Sequence, residues 1–175
     1  MFLPNHELGG DAMAERALDV YLNDHLAGAT MGCEMADDLR DRNEGTPLGD
    51  RMAVLAAEIE SDRATLADLA ERLGTTSNPV KKGTAWLAEK AAELKFSGAT
   101  SGNPDLGTFL ELEALSLGVE GKICLWRSLQ AVADDHAAME GMNFDDLIAR
   151  GEAQRRALEA ERSQVGSSAL RGGGD

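Results

Sequence analysis

The chain has 175 residues, 43% of them apolar and 27% charged, and 17 basic against 31 acidic side chains give a net charge of −14. That length suits one domain able to bury its own core, and the composition is neither that of a disordered chain nor that of a membrane protein. So acidic a surface repels phosphate backbones and anionic lipid, so neither nucleic acid nor a membrane is expected as a partner. Residues Met1 to Gly10 carry no basic segment and no apolar run, and no stretch approaches the ~20 apolar residues of a membrane span. Cytoplasm is the expected compartment. Cys33 and Cys124 are too few and too far apart for a disulfide scaffold or a zinc knuckle, and both thiols are expected to be free.

Taken in chain order, the first predicted helix covers 11–43, after flexible residues 1–10. Its stripe, Leu18, Leu22, His25, Ala29, Gly32, Ala36 and Leu39, sets a histidine in an apolar seam. Gly28 and Gly32 make its middle thin. Close helix approach is the simpler reading, and a ligand cavity is the other. Thr46-Pro47 opens a helix over 47–73, with a capping side chain ahead of a proline whose missing N–H is not needed there. Here Leu48, Met52, Leu55, Ile59, Asp62, Leu66, Leu69 and Leu73 alternate steps of four and three, a bundle seam with one acid in it.

Asn78-Pro79 and Asn103-Pro104 open helices over 79–97 and 104–139, and Asn143 with Asp145 and Asp146 opens a last, more polar helix over 143–168. Glycines at 45, 74, 98 and 141 close the preceding segments as left-handed caps. The 104–139 segment has two apolar stripes. Phe109, Leu112, Val119, Ile123 and Trp126 form one; Leu106, Leu110, Glu113, Leu117, Glu120 and Cys124 form the other, with two acids in it. No window alternates with period two, so strands are not expected. Residues 169–175, ending Gly-Gly-Gly-Asp, read as a flexible tail.

The short connection after the first helix makes the first two antiparallel. Matching Leu39 with Leu48 then brings His25 level with Asp62. Residues 74–103 are long enough to cross back along a bundle, leaving the 47–73 and 104–139 helices parallel. Aligning Leu48 with Leu106 carries Asp62 to the level of Glu120, with Glu113 as the alternative one turn pair away. His25, Asp62 and Glu120 are thus expected to meet in one layer, as a hydrogen-bonded structural group or around a cation.

The segments MAVLAAEIESDRATLADLAERLG (52–74) and FLELEALSLGVEGKICLWRSL (109–129) resemble the second and third bundle helices of the ferritin-like superfamily, in a bacterial branch of it. The resemblance covers roughly residues 15–165. It implies an all-α, ferritin-like four-helix bundle in a single domain over 11–168, with a short crossover helix between the second and third bundle helices. It also implies a place to look for a di-iron site, and there the pattern fails. No glutamate is followed three residues on by histidine; Ile59 with Asp62, Glu58 with Ser61 and Glu152 with Arg155 stand at that spacing instead.

The metal candidates are therefore His25, Asp62, Glu113 and Glu120, an incomplete set. The expected function is a non-catalytic binding or structural module without a cofactor, self-associating as a homo-oligomer, with a dimer favoured. A carboxylate-rich oxidase or ferroxidase using iron or another divalent metal is the first alternative. A small-ligand carrier with its pocket beside the thin first helix is the second.

Overall fold

The computed structural model describes residues 7–75 and 104–171. Four long helices carry the fold: α1 (Glu7–Arg42), α2 (Pro47–Arg72), α3 (Pro104–Gln130) and α4 (Phe144–Ala169), with single 3-10 turns at Ala133–Asp135 and Ala137–Met139. The described residues contain no strand. The all-α expectation holds for them; the helix expected over 79–97 lies outside the described residues, as do positions 1–6 and 172–175.

The helix ends follow from local chemistry. Thr46 is extended, and its side chain accepts a hydrogen bond from the Gly49 N–H, with Pro47 as the first helical residue. Asn143 does the same for the Asp146 N–H at the start of α4. Gly45, Gly74 and Gly141 all have positive φ, between 72° and 79°, which lets the chain turn where an L side chain would strain it. Two boundaries differ from expectation: α1 begins at Glu7, so residues 7–10, expected to be flexible, are helical, and α3 ends early. α3 stops at Gln130 rather than 139, and Asp134 and Asp135 lie in the 3-10 turn that follows. Acids at that end face the negative pole of the helix dipole, which disfavours its continuation.

Direction is set by contacts between named residues. α1 and α2 form one hairpin through the turn at 43–46, and α3 and α4 form the other. Arg42 pairs with Glu111 and Tyr21 hydrogen-bonds Ser128, so α1 runs antiparallel to α3. Arg51 pairs with Glu161 and Arg150 with Asp62, so α2 runs antiparallel to α4. It follows that α2 and α3 are parallel, and the pairing of Lys122 with Asp62 lies on that parallel register.

The core has two connected parts. Leu39, Met52, Ile59, Leu112, Ile123 and Leu158 anchor one, and Leu22, Leu66, Leu69, Trp126, Leu129 and Phe144 anchor the other. α3 and α4 approach most closely. A Cβ built at Gly151 would lie 2.7 Å from Ile123 Cγ1, and one at Gly166 would lie 2.6 Å from Phe109 Cε2. Arg162 covers the outer face of that same Phe109 ring, 5.2 Å from its centroid.

Candidate functional site

Around its middle, α1 stands off from α2 and α3 and leaves a cavity of about 440 Å3. Gly28, Ala29 and Gly32 line it from α1, Ile59 and Leu66 from α2, and Leu115, Gly118, Val119, Gly121, Leu125 and Trp126 from α3. Among the described residues, a Cβ added at Gly28, Gly32, Gly118 or Gly121 would meet nothing within 4 Å. This corrects the simpler sequence reading of the α1 glycines. They do not serve close helix approach, as Gly151 and Gly166 do; they widen a cavity.

At one end of the cavity lies a buried polar layer. Asp62, only 1% exposed, accepts hydrogen bonds from Lys122 of α3 and from Arg150 and Gln154 of α4. The Lys122 Nζ also donates to Gln154 Oε1 at 2.5 Å, and its side chain is 14% exposed. Burial pushes the Lys122 ammonium below its ordinary pKa, while the adjacent Asp62 carboxylate acts in the opposite direction. A carboxylate held by two cations and an amide satisfies the requirement that a buried charge be paired.

The four sequence-derived candidates do not converge. His25 and Asp62 line the same cavity, from α1 and α2, as their predicted register requires. They share no hydrogen bond, because Lys122 and Arg150 occupy the carboxylate and His25 packs edge-on against Tyr21, ring centroids 4.5 Å apart. Burial lowers the His25 pKa below 6.5, against a smaller opposing effect from Asp24. Glu120 pairs with Arg155 at 3.2 Å and Glu113 with Arg162 at 3.4 Å, both side chains nearly half exposed along the α3–α4 edge. The parallel register expected for α2 and α3 was off by two residues. That small offset turns a helix by about 200°, which replaces Glu120 by Lys122 at the inner face. Among the described residues no group of three or more His, Cys, Asp or Glu side chains is placed to hold a metal ion.

Sequence reasoning passed over Lys122, Arg150 and Gln154. The signal for two of them was present. Leu112, Leu115, Val119, Lys122, Trp126 and Leu129 alternate steps of three and four, as do Phe144, Leu147, Gly151, Gln154, Leu158 and Glu161. Both polar residues therefore occupy seam positions, in the same pattern that singled out Asp62. Of the two stripes assigned to this helix, that through Phe109, Leu112, Val119, Ile123 and Trp126 is buried, and that through Glu113, Leu117 and Glu120 faces outward, with Leu117 70% exposed.

Neither cysteine offers a nucleophile at the cavity. Both are free, Cys124 exposed and Cys33 buried. Burial, followed by a hydrogen bond to Glu60, pushes the Cys33 thiol up to about 12, far from the thiolate that reactivity needs. The site as built can enclose an apolar body and present a polar end to it. No protein-family model, no curated protein and no solved structure matches this chain.

Proposed function

We propose that the chain is a ferritin-like helical bundle acting as a non-catalytic binding module, and that what it binds is a small, largely apolar molecule held between α1, α2 and α3. Support for the ferritin-like half comes from connectivity: two antiparallel hairpins, with α1 beside α3, α2 beside α4, and α2 parallel to α3. A long connection between the second and third helices produces that arrangement.

One observation carries the ligand half. Four glycines in the interior of two long helices open onto a single cavity, with no atom of the described residues near enough to require them. Each costs about 0.5–1 kcal/mol of helix stability relative to alanine. A space of this volume with mostly apolar walls and one polar end has the usual make-up of a small-molecule site. The metal-oxidase alternative has no comparable support, since Asp62, Glu113 and Glu120 each face a cationic side chain.

Titration with the neutral fluorophore N-phenyl-1-naphthylamine tests the reading. Saturable binding at one site per chain, with quenching of tryptophan emission through Trp126, is the expected result. Absence of saturable binding would refute it.

A further inference from the structure

The polar end of the cavity is unbalanced in charge and in hydrogen bonding, and both imbalances have the same sign. Asp62 is a single carboxylate set between two cations, Lys122 and Arg150, with neutral Gln154 as the remaining member. One positive charge is therefore in excess in a layer where Asp62 is 1%, Lys122 14% and Arg150 36% exposed. The other charged side chains on the cavity wall do not cancel it. Arg63 is held by Glu60, through Nε at 2.8 Å and a second bond at 2.5 Å, and Asp24 sits exposed at the rim, where solvent and salt screen it.

Donors are likewise in surplus. An ammonium has three N–H groups, and Lys122 gives one to Asp62 and one to Gln154. Asp62 accepts three hydrogen bonds and has little left to offer a donor. Trp126, on the same wall, carries a buried indole N–H with no acceptor. An orphaned buried donor is costly, and an acceptor brought by a ligand relieves that cost.

Resting on the ligand-binding reading above, we propose that the ligand is an apolar carboxylic acid bound as its anion, with the carboxylate accepting from the Lys122 ammonium and the hydrocarbon lying along Leu66, Leu115, Val119 and Trp126. An anion at that point restores charge balance and accepts a charge-assisted hydrogen bond from the remaining Lys122 N–H, on a side chain only 14% exposed. A cationic ligand would find the carboxylate of this layer, Asp62, already occupied. A neutral one would gain the apolar contacts and no more than the weaker hydrogen bond of an uncharged acceptor.

Displacement of N-phenyl-1-naphthylamine by decanoate, decanol and decyltrimethylammonium separates these cases at constant tail length. The native protein is expected to bind decanoate about tenfold more tightly than decanol, and the ammonium most weakly. Lys122→Met should bring decanoate down to the affinity of decanol while leaving decanol unchanged, which also reports that the variant is folded. If Lys122→Met does not fold, the ratio in the native protein decides by itself. Decanol binding as tightly as decanoate, or the ammonium binding best, overturns the carboxylate assignment and leaves the cavity reading intact. If none of the three binds and the fluorophore does not either, the ligand-binding reading fails together with it.

Discussion

Asp62 shows how a single residue organises this bundle and how it can be tested. Its carboxylate is buried and compensated by Lys122, Arg150 and Gln154, so Asp62→Ala leaves an uncompensated ammonium in the core and should cost about 3–5 kcal/mol in urea denaturation. Asp62→Leu combined with Lys122→Met removes both charges together and should recover most of that loss, because Arg150 is partly exposed and can turn to solvent. A double-mutant cycle should find strong coupling between Asp62 and Lys122 and almost none between Asp62 and His25. Coupling confined to the histidine pair would contradict the arrangement. His25 itself gives a pH signature. Its folded pKa lies below the ordinary 6.5 through burial, so protonation favours the unfolded chain. Its contribution is complete above 6.5 and is lost as the pH falls below that value. From about pH 7.5 to 5.5 the native protein should lose more stability than His25→Gln does. Equal losses would show that the imidazole titrates as if exposed.

The helices divide their glycines into two kinds, and the sequence alone does not say which is which. A Cβ on Gly151 or Gly166 of α4 would press on side chains of α3, whereas one on Gly28, Gly32, Gly118 or Gly121 would meet nothing within 4 Å among the described residues. Alanine scanning should therefore split by sign. Gly28→Ala and Gly32→Ala should each raise stability by about 0.5–1 kcal/mol through helix propensity. Gly151→Ala and Gly166→Ala should each lower it by about 1–3 kcal/mol through overpacking against Ile123 and Phe109. Thermal melts of the four variants give the answer, and a uniform sign across all four would contradict the packing described. A glycine at seam spacing signals only that a side chain is missing. Whether a neighbour fills the gap depends on the distance between helix axes, which is a property of the pair and not of either sequence segment. The charged seam residues were more legible. Periodicity placed Asp62 inside and would have placed Lys122 and Gln154 there too, had a lysine in an apolar stripe been weighed as an acid was.

At the scale of the whole molecule, helix starts and stops were readable because prolines, capping side chains and left-handed glycines act locally. The antiparallel α1–α2 hairpin followed from a short turn, and the parallel course of α2 and α3 from the length of chain between them. Rotation of each helix about its axis was harder to read, since two residues of register separate Glu120 on the rim from Lys122 in the core. The two hairpins are also tied by Arg42 with Glu111 and Arg51 with Glu161, in which the carboxylates are buried and the arginines half exposed. Along α1 the cavity opens between its contacts with α3 at Arg42–Glu111 and at Tyr21–Ser128. The central claim is that this space exists for a ligand rather than as a packing fault. Gly32→Leu tests it most directly, because a Cβ there meets no described atom within 4 Å and points the side chain's remaining carbons toward a cavity of about 440 Å3. The account predicts a variant that melts no lower than the native protein and no longer binds N-phenyl-1-naphthylamine. A variant that melts several degrees lower, or that binds the fluorophore as the native protein does, would contradict it.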